Sequence, residues 1–120
     1  MISHLNGLTV HTKIWLEKNG KPVFGKGRAR LLRAVSSEGS ISKASKRMNI
    51  SFRRAWSHLD DSEHNFGIPL LEKHKGGAGG GNSVLTEDAR ELVTLYEKLN
   101  EEIGRFAEKR FSELTGSETR

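Results

Sequence analysis

Arg53, Arg54, Ser57 and His58 lie within one six-residue stretch. They combine planar donor forks, a hydroxyl and an imidazole, the groups that bind phosphate oxygens and the hydrogen-bonding edges of bases. Upstream, Ser42, Lys43, Lys46 and Ser51 add hydroxyl and ammonium donors suited to a phosphate backbone. Such a set binds and reads a polyanion; it does not make or break bonds. The arrangements catalysis needs do not emerge elsewhere, neither paired carboxylates nor a Ser-His-Asp set. His58, His64 and His74 are six and ten residues apart, not a ligand spacing on one helix face, and the chain has no Cys. No enzyme is expected, and no metal or cofactor.

To act together these groups need a rigid support, which the stretch from Gly39 to Leu59 offers. Ile41, Ala44 and Met48 share one helical face, Ile50 falls between, and Ala55 and Leu59 are four apart on a second helix. Ser40 and Ser42 are both candidate N-caps for the first helix. Asn49 suits a left-handed turn, and Ser51 caps the second helix, leaving amides at an end that favours anions. The pattern predicts a helix-turn-helix over residues 40–66, ended by Gly67-Ile68-Pro69. Asp60, Asp61 and Glu63 would repel phosphates, which confines the reading surface to Ser51–His58. Trp56 is expected in the core. Phe52, one turn earlier, could form a base-stacking pair with it and is open between that role and core packing.

The flanking elements follow from periodicity. Residues 8–16 alternate, with Leu8, Val10, Thr12, Ile14 and Leu16 on one side, and predict a strand; Asn19-Gly20 then turns into a return strand at Pro22-Val23-Phe24. His11 and Trp15 read as strand side chains, with Trp15 at the domain edge. Leu31, Leu32, Ala34 and Val35 predict a core helix from Arg28 to Glu38, with Gly39 after its end. For Arg28, Arg30 and Arg33, phosphate contact and simple solvation remain equally open. Residues 70–85 read as two short strands joined by a glycine-rich tip, a wing whose Lys73, Lys75 and Asn82 lie along a phosphate backbone. The tip is not a nucleotide loop: it lacks the Gly-Lys-Ser/Thr ending, and a dinucleotide fingerprint begun at Gly77 meets Asn82 where it needs Gly. Thr86 caps a last helix over 86–114, in which Ala89, Leu92, Tyr96, Leu99, Ile103 and Phe106 follow a heptad seam. Leu92, Tyr96, Leu99, Ile103 and Phe106 are assigned to dimerisation, the distal half extending past the domain's own core. Residues 115–120 read as a disordered polar tail.

Charge supports this division. From Lys21 to His58 ten Lys or Arg face a single acid, Glu38, whereas from Thr86 to Arg120 six cations face nine acids. The basic part coincides with the helix-turn-helix, as a polyanion-binding face requires. No apolar run of membrane-spanning length and no signal-peptide pattern occurs in the 120 residues, so a cytoplasmic protein without membrane contact is expected.

The order helix, helix-turn-helix, glycine-tipped wing and long helix resembles the N-terminal DNA-binding domain of the molybdate-responsive ModE regulators, and more distantly LysR-type regulators. The residues that carry the resemblance are Gly39-Ser40-Ile41-Ser42 with Ala44, Ile50-Ser51-Phe52-Arg53 with Ala55-Trp56, and Gly76-Gly77-Ala78-Gly79-Gly80-Gly81 leading to Val84-Leu85-Thr86. It implies a mainly α fold with small β elements: a single winged helix-turn-helix domain over 1–114 that dimerises and binds a palindromic operator. The family commonly has Lys where Ala78 stands and Gly where Asn82 stands, so Lys75 at the wing base is expected to take over the tip contact. Because the oxyanion-binding domains of that family lie beyond the resembling stretch, no direct molybdate binding is expected. The expected partners are therefore double-stranded DNA and a second copy of the chain. Arg53, Arg54, Ser57 and His58 are assigned to base edges. Ser42, Lys43, Lys46, Ser51, Phe52, Lys73, Lys75 and Asn82 are assigned to the backbone. A competing expectation is an interaction module whose last helix pairs with a separate ligand-sensing subunit, DNA contact being secondary.

Overall fold

The computed structural model describes residues 5–74 and 82–116. Asn19 and Gly20 adopt φ of 53° and 79°, the left-handed pair a tight hairpin requires, and join β1 (Leu16–Lys18) to β2 (Lys21–Phe24). The predicted strand over 8–16 forms only at its end. Among the described residues no strand lies beside residues 8–15, because β2 is four residues long and the chain enters α1 (Lys26–Glu38) directly after Gly25. This arm instead follows the last helix, α4 (Glu87–Thr115): the Tyr96 hydroxyl donates to the Ile14 carbonyl at 2.8 Å, and an added methyl on Gly104 would lie 3.8 Å from Thr12 Oγ1. Alternation alone did not reveal that the arm's partner is a helix.

Helix ends are set by the residues the sequence nominated. Gly39 ends α1 with φ 85°, its amide donating to Val35 O at 2.8 Å. Ser40 rather than Ser42 caps α2 (Ile41–Met48), accepting from the Lys43 amide at 3.1 Å. Asn49 makes the turn at φ 60°, and Ser51 caps α3 (Phe52–Phe66), accepting from the Arg54 amide at 3.0 Å. Thr86 caps α4 by accepting from the Ala89 amide at 3.1 Å and also donates to Pro69 O at 3.0 Å, tying that helix to the approach of the wing. Strands β3 (Leu71–His74) and β4 (Asn82–Leu85) pair antiparallel from Leu71↔Leu85 to His74↔Asn82. The wing tip, with Lys75 and the glycine run, falls outside the described residues.

Leu31, Leu32 and Val35 of α1, Ala44 of α2, Ala55 and Leu59 of α3, and Leu70, Leu85, Ala89, Val93 and Tyr96 form one buried cluster. Phe24 links the hairpin to it through edge-to-face contacts with Phe66 (6.0 Å) and Tyr96 (5.6 Å). Tyr96 is 2% exposed and bonded to the arm, so its assignment to dimerisation is corrected: it belongs to its own chain's core. The helix α4 runs 29 residues, one residue past the predicted boundary, so Thr115 ends the helix rather than opening a tail. At about 43 Å by helical rise it projects beyond the cluster, giving overall dimensions of 63 × 31 × 21 Å. With wing, helix-turn-helix and leading helix together, the fold is a winged helix-turn-helix.

Candidate nucleic-acid interface

The face that α3 turns outward follows from its buried line. Ala55, Leu59 and Ser62 point into the domain, and at about 100° per residue Arg53 and Ser57 fall on the opposite side, both exposed. Arg54 and His58 lie on the flank nearest the start of α1. There Arg28 crosses between helices, its guanidinium donating to the His58 carbonyl at 2.9 Å and to Ser62 Oγ. Of the three α1 arginines, Arg28 thus fixes α3 against α1, and Arg33 forms an exposed ion pair with Glu97 at 2.7 Å. Arg30 is exposed.

Local electrostatics distinguish His58. Partial burial, then the positive charges of Arg28 and Arg54, push its pKa below the ordinary histidine value, with Asp61 opposing. The shift favours the neutral imidazole, which has both a donor and an acceptor nitrogen. Lys43 and Lys46 on α2 are exposed, Ser42 is half-buried, and Arg47 is drawn back to α1 by Ser37 Oγ (3.0 Å) and Glu38 (3.1 Å). Ser51 is exposed with its hydroxyl engaged as the α3 cap. Asn82 is exposed at the start of β4, opposite His74, and the backbone of Lys73 pairs with Ser83.

Several features escaped the sequence. Trp56, expected in the core, is 43% exposed, and Phe52 is 52% exposed. Both lie beside the buried line of α3 rather than on it; the i, i+4 spacing of Ala55 and Leu59 was the signal that a neighbouring pair points elsewhere. Glu63, read only as a repelling acid, accepts the Leu70 and Leu71 amides at 2.9 and 3.1 Å and so docks the wing onto α3. On α4, Leu99, Ile103 and Phe106 are exposed and Leu92 is half-buried; Leu95, omitted from the heptad reading, joins this stripe through its i, i+4 spacing to Leu99. Among the described residues no three His, Asp or Glu are grouped to hold a metal, and no helix is long and apolar enough to cross a membrane.

Residues 27–90 match the family described as bacterial regulatory helix-turn-helix protein, lysR family. The chain is 40% identical over 72 residues to the transcriptional regulator ModE of Haemophilus influenzae, a match covering 60% of this chain and 28% of that protein. It is 36% identical over 95 residues to the molybdenum transport protein ModE of Azotobacter vinelandii, covering 76% of this chain and 35% of that one. The DNA-binding transcriptional dual regulator ModE of Escherichia coli is 36% identical over 72 residues, again 60% of this chain and 28% of the relative. These matches thus take in little more than a third of each relative at most. Among solved structures, the CbnR DBD–DNA complex superposes with a TM-score of 0.54 at 21% identity, over 72% of this chain and 93% of that one. The BenM DBD/benA site 1 DNA complex does so with 0.54 at 22%, over 73% and 93%. At such identities the likeness concerns the fold.

Proposed function

The chain belongs to the bacterial regulatory helix-turn-helix proteins of the lysR family, and from that premise we propose that it is a sequence-specific, double-stranded-DNA-binding transcription regulator of the ModE-like kind. It acts in the cytoplasm as a homodimer on a palindromic operator. The observation that carries this reading is the exposed first half of α3, where Arg53, Arg54, Ser57 and half-buried His58 stand with no acid among them. The α3 N-terminus enters the major groove, with these four side chains at base edges. Ser42, Lys43, Lys46 and Ser51 hold the flanking phosphates, together with Phe52 alongside, and Lys73, Lys75 and Asn82 of the wing do the same. The domain extends to the end of α4 at Thr115, one residue beyond the predicted 1–114, with the wing over 70–85.

Mutation separates the two classes of contact. Arg54→Ala costs about 1–3 kcal/mol at the base it reads and relaxes sequence preference. Lys46→Ala weakens specific and random DNA alike and lowers the slope of affinity against salt by about one. Equal losses on operator and random DNA for both variants would sink the assignment. Selection of bound fragments from random DNA supplies the operator, and half-sites about one helical turn apart are expected.

The exposed Leu95, Leu99, Ile103 and Phe106 favour pairing of α4 with another helix. In the homodimer reading this stripe meets its copy. Replacing Ile103 and Phe106 together by Ser then yields a monomer in sedimentation, with the melting temperature of the isolated fold nearly unchanged. A wild-type protein that stays monomeric at all concentrations instead favours α4 joining a separate ligand-sensing subunit.

A further inference from the structure

Two aromatic side chains on the first half of α3 are not among the four residues assigned to base edges. Phe52 and Trp56 are 52% and 43% exposed, neither belongs to the buried cluster, and they stand one turn apart on the same flank. Direction along α3 is marked by Glu63, seven residues after Trp56 and therefore nearly in line with it, whose carboxylate holds the first amides of the wing strand. The aromatic pair thus occupies the angle between the outward line of Arg53 and Ser57 and the wing. Arg28, Arg54 and His58 occupy the opposite flank. One side of the reading helix offers charge and hydrogen bonds, and the other offers apolar surface.

In the major groove only one base carries an apolar group, the C5-methyl of thymine. Cytosine has only a hydrogen at that carbon, and beside it the N4 amine stands where thymine has O4, so an aromatic face gains no methyl to cover and meets a donor it cannot satisfy, which is unfavourable. We infer that Phe52, moved here from beside the phosphates to the bases, and Trp56 form an apolar reading edge that selects thymine through its methyl group, on the wing side of the bases contacted by Arg53 and Ser57. The inference rests on the proposed DNA-binding function and deepens it. Arginine forks select purines at one set of positions and the aromatic pair selects thymine at the adjoining set, so each half-site has two chemically distinct parts.

The test uses the full chain and the operator recovered by selection. Each thymine of the operator is replaced in turn by deoxyuridine, which removes the methyl group and leaves every hydrogen-bonding atom in place. Wild-type protein is expected to lose about fourfold in affinity at one or two positions per half-site, the factor that burial of one methyl group corresponds to. Trp56→Ala or Phe52→Ala should bind the same operator more weakly and no longer distinguish thymine from deoxyuridine there, with folding checked by circular dichroism. Replacing a disfavoured cytosine at those positions by 5-methylcytosine should recover part of the affinity of wild type only. Wild-type binding indifferent to every deoxyuridine, on DNA still preferred over random sequence, overturns the inference and leaves the proposed function standing. Retention of the deoxyuridine penalty in both variants overturns it likewise. A protein that does not prefer the selected operator to random DNA overturns both.

Discussion

His58 and His64 stand six residues apart on α3, yet their environments move them in opposite directions. Burial and the cations Arg28 and Arg54 hold His58 below the ordinary histidine pKa. His64 is raised, first by its hydrogen bond to the Asp60 carbonyl at 2.9 Å and then by the Asp60 carboxylate. The potential therefore reverses along a single helix. The first two turns are a cationic surface docked against α1 through Arg28, and the last two are an acidic segment that serves the fold by holding the wing through Glu63. An acid near bound DNA is unfavourable by itself. Set in the distal turns and occupied by two backbone amides, Glu63 becomes the joint that orients the wing relative to α3.

The sharpest way to break this division is to remove the acidic joint. Glu63→Ala leaves the Leu70 and Leu71 amides without their acceptor, and at the magnitude of hydrogen bonds to a charged group it should cost about 2–4 kcal/mol of stability. A lowered thermal midpoint, with the α3 preference for operator over random DNA retained, is the expected result. Glu63→Gln keeps one carbonyl acceptor and should recover part of the loss. If Glu63→Ala instead abolishes sequence preference while the fold stays intact, the distal half takes part in reading and the division fails.

The corresponding change in the first half is smaller. In Arg28→Ala the His58 carbonyl and Ser62 Oγ lose a charged donor, but Ser62 Oγ still donates to the His58 carbonyl at 2.9 Å, so neither group is abandoned. A cost of about 1 kcal/mol is expected by denaturant unfolding. The same substitution removes one of the charges that depress His58, so its titration should move up toward the ordinary histidine range while that of His64 stays in place. Equal movement of both would mean that the two halves share one electrostatic environment.

How much of this was legible follows the distance over which each interaction acts. Ser51, Asn49, Gly39, Gly67 and Thr86 ended helices as read, because a cap is decided by atoms three or four residues away. The buried pair Ala55 and Leu59 was legible for the same reason. Trp56 was misread because its size suggested a core residue, while its angular position on α3 is exposed. Arg28 and Glu63 could not be assigned, since their partners are brought close by folding: His58 lies thirty residues from Arg28, and Leu70 is reached only after the Gly67 turn. The arm over 8–15 has strand periodicity, but its neighbour is α4, more than eighty residues away at the Tyr96–Ile14 contact. The seam on α4 read as one stripe because spacing does not record what lies opposite. Its first half meets the core and its second half solvent.

The smallest expected effect concerns protons. In free protein His58 should titrate below about 6.5 and His64 above it, as proton NMR of the two rings would record. For His58 the folded pKa is the lower one, so its contribution to stability is present above the unfolded value and is lost as pH falls from about 6.5 through the folded pKa. For His64 the sign is opposite: its contribution is present at low pH and is lost as pH rises through its raised pKa. The groups facing His58 are Arg28 from α1 with Arg54 and Asp61 on α3, two cations against one acid. In the proposed complex a DNA phosphate beside those arginines would offset their charge and move His58 upward, so that binding would take up a fraction of a proton at this ring. Affinity should therefore rise modestly as pH is lowered from 7.5 to about 6, and His58→Asn should flatten that dependence while His64→Asn leaves it unchanged. A pH dependence that follows His64 instead would place the anion at the acidic end of α3, contrary to the polarity that separates its two halves.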